Sequence, residues 1–148
     1  MKSEAIVELG KPLQTIETET PEPKGKEVLL KITHSGVCHS DVHIHDGYFD
    51  LGGGNKLPVG AMLNLPHTMG HEIEGEVVSI GPEVTEVEIG SHVVAYPWIG
   101  CGECATCKAG DEHYCNAPRQ LGIQLPGGFA DYCIVPDSKY VLDYEGIR

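Results

Sequence analysis

The sequence has no run of about 18 consecutive apolar residues, the length that a membrane-spanning helix needs. It is also poor in positive charge, because 10 Lys and Arg residues stand against 22 Asp and Glu residues, for a formal net charge of −12. Such an acidic chain repels nucleic-acid phosphates and anionic lipid surfaces. Residues 1–5 lack the apolar start of a secretory signal peptide. We therefore expect a cytoplasmic protein whose partners include neither nucleic acid nor a membrane.

Turn-forming residues are abundant, with 19 glycines and 10 prolines among 148 residues. Together with 41% apolar residues, they favour many short strands over a helical bundle. This length suits one compact domain, and two would be unusual. Segments rich in Val, Ile and Tyr predict strands at residues 4–9, 28–32, 73–80, 92–95, 130–135 and 140–142.

Two further segments are read from their local sequence. Residues 38–45 predict a short helix that starts at Ser40 and ends at Gly47. Residues 46–68 show no clear periodicity and contain three consecutive glycines, so we predict a long surface loop there. The fold class is therefore mainly β, a sandwich or a barrel, with short helices.

Four cysteines cluster with the spacing Cys101-x2-Cys104-x2-Cys107-x7-Cys115. In a reducing compartment, such a cluster indicates a metal site rather than a disulfide framework. Four thiolates complete the tetrahedral shell of zinc and leave no position for a substrate, so a structural role is predicted. An iron–sulfur cluster also takes four cysteines and is the alternative, with a pair of disulfides less favoured. The zinc lobe is expected to span about residues 97–118.

A second group of reactive side chains occupies two motifs, Cys38-His39-Ser40-Asp41-Val42-His43 and Gly70-His71-Glu72. A catalytic zinc needs about three protein ligands and an open position, and Cys38 and His71 are the natural first two. Neighbours in a strand point to opposite faces, so Glu72 reaches the same ion only if the chain bends at Gly70. Glu72 is thus either an alternate zinc ligand or a residue that contacts one of the zinc ligands. A short helical turn would align Ser40 with the second histidine of the first motif as a proton path.

These motifs and the four-cysteine lobe resemble the signatures of the medium-chain zinc-dependent alcohol dehydrogenase family, in the same order along the chain. The resemblance covers essentially all 148 residues and includes Gly81-Pro82 and Gly128-Phe129-Ala130-Asp131-Tyr132. It implies one GroES-like catalytic domain over residues 1–148, a partly open β-barrel with short helices that the zinc lobe stabilises.

The resemblance also implies roles for single residues. Ser40 and His43 would relay the proton, His39 would approach the pyrophosphate of NAD or NADP, and Asp41 would orient the zinc-binding histidine through a hydrogen bond. The implied metal ligands are Cys38, His71 and Glu72 for a catalytic zinc and Cys101, Cys104, Cys107 and Cys115 for a structural zinc.

The implied parent enzyme is a homo-oligomer that interconverts a small alcohol and an aldehyde or ketone by hydride transfer with NAD or NADP. Residues 96–98 would line its substrate pocket. The family's third catalytic-zinc ligand is not found among these residues, since Cys133 lies in an apolar strand as a buried structural thiol. No G-x-G-x-x-G follows a strand, so the nucleotide-binding Rossmann domain is absent from this chain and the 148 residues alone are expected to be inactive. The segment 46–66 looks longer than in many relatives.

Two other functions fit parts of this pattern. One is a stand-alone zinc-stabilised GroES-like module without catalytic activity, which would need none of Cys38, Ser40, His43 and His71 at this spacing. The other is a zinc-free quinone reductase of the same superfamily, which would need neither cysteine group. The dehydrogenase is therefore the favoured hypothesis.

Overall fold

The computed structural model describes residues 1–144, and residues 145–148 of the predicted domain lie outside this part. The strands are β1 Lys2–Ile6, β2 Gln14–Glu17, β3 Val28–Gly36, β4 Tyr48–Gly52, β5 Asn55–Pro58, β6 His67–Thr68, β7 Glu72–Ile80, β8 His92–Ala95, β9 Tyr132–Val135 and β10 Val141–Asp143. The helices are α1 His39–Asp46 and α2 Ala105–Lys108, with 3₁₀ turns at Gly60–Met62, Glu112–Tyr114 and Ser138–Tyr140. Neither α1 nor α2, within the described residues, has the length and hydropathy of a membrane span.

The strands of residues 1–144 form three sheets. The main sheet is antiparallel with the order β10-β8-β7-β3-β9, and β1 lies between β2 and β6 in a second sheet. A bridge between Ser3 and Ala130 links the second sheet to the chain just before β9. None of the three sheets closes on itself within the described residues, so the predicted mainly β, partly open architecture is confirmed.

The main core is built by inward-facing residues of the five-stranded sheet. Along β7, Ile73 and Val77 are 2% and 0% exposed, whereas Glu74 and Glu76 between them are only half-buried. This alternation is the period of two that a strand with one buried face requires. The buried members of the core are Val28, Leu30, Ile73, Val77, Val84, Val93, Ala95, Ile99, Leu121, Cys133, Val135 and Tyr140.

A second, smaller core holds helix α1 in place. Ile44 of α1 is fully buried against Ile6 and Met69. Gly47 ends the helix at φ +82°, as predicted, because glycine adopts this left-handed conformation without a steric penalty. The predicted start at Ser40 is wrong: Cys38 caps the helix, and its N–H donates to a carboxylate oxygen of the third helical residue at 2.9 Å. A carboxylate at that position satisfies a backbone donor that the helix itself leaves free.

The surface loop predicted at residues 46–68 is wrong in part, because β4 and β5 pair as a hairpin in it. Gly52, Gly53 and Gly54 make the turn, each with positive φ. Most residues of both strands are exposed, and a strand without a buried face carries no alternating apolar pattern. Sequence periodicity therefore missed the hairpin. The short strands β2 and β6 were missed as well, and the ends of the predicted strands shift by up to four residues.

Buried His67 of β6 is expected to make the stability of the domain dependent on pH. It is 4% exposed, its Nε2 lies 3.0 Å from the Gly122 carbonyl oxygen, and burial lowers its pKa below the ordinary 6.5. The unfolded chain then binds a proton at higher pH than the folded chain does. The contribution of neutral, buried His67 to the free energy of unfolding is therefore fully present above about pH 6.5, and it is lost as the pH falls below that value.

We expect the melting temperature to fall between about pH 7 and pH 5.5 and expect His67→Gln to flatten this part of the curve. Thermal unfolding at several pH values measures it. Exposed His113→Gln is the control and should keep the wild-type slope. Equal slopes in all three proteins would refute the assignment to His67.

Candidate functional site

The sulfurs of the four-cysteine lobe converge on one point. All four lie within 4.8 Å of one another. Cys104 Sγ is 3.5 Å from Cys107 Sγ and 3.9 Å from Cys115 Sγ, and Cys101 Sγ is 3.8 Å from Cys107 Sγ. A tetrahedron of sulfurs about 2.3 Å from a central ion has edges of about 3.8 Å. The spacing thus fits one zinc ion, whereas an iron–sulfur cluster places several irons and sulfides inside the thiolate shell.

Backbone donors of the lobe point at the sulfurs. The N–H groups of Cys101, Cys104 and Cys107 each donate to the sulfur of another cysteine in the lobe, at 3.3–3.4 Å. Bonds from the N–H groups of Glu103 and Cys104 lower the pKa of Cys101 to about 6, whereas burial raises the pKa of Cys107 to about 12. Backbone donors that favour the thiolate form are therefore present in the lobe, as a zinc site built from cysteines requires.

The Glu112 side chain links the four-cysteine lobe to the main core by hydrogen bonds. Glu112 accepts a hydrogen bond from Tyr140 Oη at 2.6 Å and another from Lys139 Nζ. Both bonds lower the pKa of Glu112, with that from Lys139 having the larger effect. These bonds therefore attach the lobe to the 3₁₀ turn Ser138–Tyr140, which leads into β10.

The second group of candidate ligands comes together from the start of helix α1 and the start of strand β7. Ligand atoms of Cys38, His71 and Glu72 lie within 4.8 Å of one another. The condition for Glu72 to reach the same ion is met, because Gly70 has φ +94° and interrupts the extended backbone before His71. Gly36 lies opposite Glu72 in the register of β3 and β7, and a Cβ there would be 2.1 Å from Glu72 Oε2. Glycine at this position gives the carboxylate room to share a face with the other two ligands.

Asp41 contacts both segments that supply the candidate ligands, the start of helix α1 and the segment that leads into β7. It is 3% exposed, and its carboxylate accepts hydrogen bonds from Cys38 N–H at 2.9 Å and Gly70 N–H at 3.3 Å. Its Oδ1 also lies 3.3 Å from His71 Nδ1, a buried nitrogen that has no well-aligned hydrogen bond within residues 1–144. A ligating imidazole usually directs its second nitrogen at a carboxylate. The contact expected between Asp41 and His71 is therefore in place, and the donor set fits a zinc ion.

The predicted relay residues lie on helix α1 beside these ligands. Ser40 Oγ is 3.7 Å from Cys38 Sγ. The centroid of the His43 ring lies 4.5 Å from that of exposed His39 and 4.8 Å from that of half-buried Phe49. No hydrogen bond joins Ser40 to His43 within residues 1–144, so a relay needs a bridging group and stays a prediction. The contact of His39 with a cofactor also stays a prediction.

A cavity of about 300 Å³ opens beside Ser40 and His71. Trp98 lines it as the resemblance implied, whereas Tyr96 is not among its lining residues. Sequence reasoning missed four lining residues, which lie in β4 and in the turns after the lobe and carry no motif: Phe49, Gln120, Leu121 and Ile123. A second, more open cleft of about 560 Å³ shares His71 and Trp98 and includes Glu72. His71 therefore lies between the cavity and the cleft, with Glu72 on the side of the cleft.

A mainly β domain with a four-cysteine lobe and a Cys–His–Glu group beside an apolar cavity is typical of the catalytic domains of zinc-dependent dehydrogenases. The chain belongs to the alcohol dehydrogenase GroES-like domain family, whose family model matches residues 24–144. The predicted membership of the medium-chain zinc-dependent alcohol dehydrogenases is thereby confirmed.

Individual relatives agree with this assignment. The chain is 44% identical over 141 residues to an NAD-dependent alcohol dehydrogenase of Saccharolobus solfataricus, covering 95% of this chain and 40% of the relative. It is 36% identical over 123 residues to an L-threonine 3-dehydrogenase of Pyrococcus furiosus, covering 83% of this chain and 33% of that protein. The structure of a cobalt- and zinc-bound thermostable alcohol dehydrogenase from Pyrobaculum aerophilum matches with a TM-score of 0.79 and 32% identity, covering 97% of this chain and 41% of that one. The chain thus spans about two fifths of the alcohol dehydrogenases it matches.

Proposed function

We propose that this chain is the catalytic domain of a zinc-dependent alcohol dehydrogenase that interconverts an alcohol and an aldehyde or ketone by hydride transfer with NAD or NADP. The observation that carries the proposal is the convergence of Cys38, His71 and Glu72 beside an apolar cavity that His71 and Ser40 line. The NAD-dependent relative and the zinc-bound neighbouring structure support it.

The proposal includes two zinc sites with different tasks. Cys101, Cys104, Cys107 and Cys115 form a closed structural site, and Cys38, His71 and Glu72 form an open one, with Glu72 as the exchangeable ligand. When bound at the open site, zinc polarises an alcohol oxygen and eases the loss of its proton.

The residues around the open site have separate roles. Asp41 holds His71 and the Cys38 backbone in one geometry. Ser40 Oγ takes up the proton of the substrate hydroxyl as its own hydroxyl proton leaves through a bridging group to half-buried His43, which releases a proton towards solvent. The apolar cavity wall excludes water from the reacting carbon, which protects hydride transfer.

The nicotinamide cofactor carries the hydride. We propose that it is bound mainly by a nucleotide-binding domain outside these residues, with His39 contacting its pyrophosphate, so that the 148-residue chain alone is inactive. The parent enzyme is proposed to be cytoplasmic and homo-oligomeric. The six unpaired cysteines of the described residues suit a reducing compartment.

Zinc per chain, measured by elemental analysis on protein purified without added metal, tests the two sites. We expect about two zinc ions in the wild type and about one in His71→Ala, because the lobe keeps its own ion. Exposed His113→Ala should retain both. A single zinc that His71→Ala leaves unchanged would contradict the open site and favour a stand-alone structural module.

Hydride transfer is tested in the longer protein that joins this domain to its nucleotide-binding domain, by following NADH or NADPH formation with an alcohol. Ser40→Ala should keep both zinc ions and the thermal stability while turnover falls roughly 10²–10⁴-fold. Turnover equal to the wild type would remove Ser40 from the proton path. No alcohol-dependent reduction in the wild type with either cofactor would overturn the proposed function.

A further inference from the structure

We infer that Gly122 is a positioning residue for His71, because Gly122 lies against the backbone of Gly70 and only a residue without a Cβ fits there. This inference rests on the proposed function and adds a residue that is not itself a candidate ligand of the open site. Gly122 belongs to the turn of residues 120–125, which follows the four-cysteine lobe and is far from both ligand motifs along the chain.

The carbonyl group of Gly70 is enclosed by three glycines. A Cβ at Gly122 would be 2.7 Å from the Gly70 carbonyl oxygen and 2.9 Å from the carbonyl carbon, and a Cβ at Gly127 would be closer still to the same oxygen. The Gly128 N–H donates a hydrogen bond to this oxygen at 2.9 Å. Glycine allows two backbones to approach this closely, whereas a side chain would hold them apart. The backbone that leads into His71 is therefore positioned by direct contact with these glycines.

The 120–125 turn is held firmly in place. The Gly122 N–H donates to the Leu125 carbonyl oxygen at 2.9 Å, and the Gly122 carbonyl oxygen lies 3.0 Å from Nε2 of buried His67. The neighbouring Leu121 is fully buried in the main core. Close-packed segments transmit a displacement to their neighbours rather than absorb it. A group added at Gly122 therefore displaces the backbone that it contacts.

The size of this displacement is large for a metal site. The Gly70 N–H donates to Asp41 at 3.3 Å, which is longer than an ordinary N–H···O bond, so Gly70 is held less firmly than the turn. Ordinary contacts of a Cβ begin at 3.4 Å, so alanine at position 122 has to widen the 2.7 Å gap by about 0.7 Å. Functional constellations keep their geometry within about 0.5 Å. Such a shift therefore moves His71 away from the position that the open site requires.

Gly122→Ala and Gly90→Ala form a matched pair of variants. Both glycines have positive φ, +75° at Gly122 and +94° at Gly90, so alanine strains the backbone at either position. A Cβ at Gly90 would meet no atom within 4 Å, whereas a Cβ at Gly122 would meet backbone atoms of Gly70. A difference between the two variants in metal binding at the open site therefore reports the contact with Gly70 and not the backbone strain.

Competition for zinc with a chromophoric chelator, together with thermal unfolding of the full chain, tests the inference. Gly122→Ala should weaken zinc binding at the open site about 10–100-fold, the effect of losing a group that orients a ligand, while the lobe keeps its ion. Gly90→Ala should melt at a lower temperature and keep the wild-type zinc affinity at both sites. With zinc in the lobe and cobalt(II) at the open site, the visible absorption bands report the ligand geometry and should shift in Gly122→Ala alone.

Gln124→Ala loosens the same turn without adding an atom at Gly122. Gln124 Oε1 accepts the Gln120 N–H at 2.8 Å, and this bond closes the turn. Its loss should weaken zinc binding at the open site by at most about 10-fold, the effect of one hydrogen bond, and the cobalt bands should broaden or shift. Gln14→Ala removes an exposed amide of β2 and should keep the wild-type affinity and bands.

Equal zinc affinity and equal cobalt bands at the open site in Gly122→Ala and Gly90→Ala would overturn the inference and leave the proposed function intact. If Gly122→Ala does not fold, Gln124→Ala decides, and the wild-type affinity and bands in that variant would likewise overturn the inference. The proposed function fails by different readouts, which are the zinc count of the wild type and hydride transfer in the longer protein. A wild type without a second zinc ion would overturn both.

Discussion

Replacement of Cys104 by Ser is expected to unfold the four-cysteine lobe and to remove one zinc ion from each chain. Cys104 Sγ is 3.5 Å from Cys107 Sγ and also accepts the Cys107 N–H, so its loss opens the metal shell and the short helix α2 together. A structural zinc site can supply roughly 10 kcal/mol of folding free energy. The lobe has few buried apolar side chains to replace that energy, so we expect a large fall in melting temperature and lower solubility.

Thermal unfolding and zinc per chain measure this effect, and Cys133→Ala is the matched control. Cys133 is a buried thiol of β9, 3% exposed, that lies outside both groups of candidate ligands. Its replacement should keep both zinc ions and cost about 1–2 kcal/mol through the small cavity it leaves. Equal melting temperatures for the wild type and Cys104→Ser would contradict the structural role of the lobe.

Asp41→Ala is expected to weaken zinc binding at the open site and the fold around it at the same time. The substitution leaves the N–H groups of Cys38 and Gly70 without their acceptor, at about 1–3 kcal/mol each, so we expect a loss of about 2–6 kcal/mol in the free energy of unfolding. It also removes the carboxylate beside His71 Nδ1, and such a loss typically lowers metal affinity 10–100-fold.

Asp46→Ala is the control for this variant, because Asp46 is an exposed carboxylate on the same helix and its Oδ1 lies 3.1 Å from Nδ1 of the adjacent His45. Competition for zinc with a chromophoric chelator measures the affinity, and urea unfolding measures the stability. If Asp41→Ala and Asp46→Ala give the same zinc affinity and the same stability, Asp41 does not hold the Cys38 and His71 segments together.

Sequence spacing was enough to predict the four-cysteine lobe because its ligands are local. Short glycine-containing connections bring Cys101, Cys104, Cys107 and Cys115 together whatever the rest of the chain does. The sequence also set the condition for Glu72 to be a ligand, a bend at Gly70, since two adjacent residues of a strand cannot otherwise face one point; it did not decide whether the chain bends there. The exposed hairpin was not, because strands without a buried face leave no periodic signal.

By itself, the sequence determined the mainly β class, the family and the identity of both candidate ligand groups, because these depend on local pattern and on spacing within short motifs. Only the tertiary structure decided which distant residues meet. The register of β3 and β7 places Gly36 opposite Glu72, and Asp41 reaches Gly70 across 29 positions of the chain. The walls of the cavity, Phe49 from the hairpin and Gln120 from the turn after the lobe, are set in the same way. Such contacts arise from strand pairing and packing between distant segments, and no short stretch of sequence encodes them.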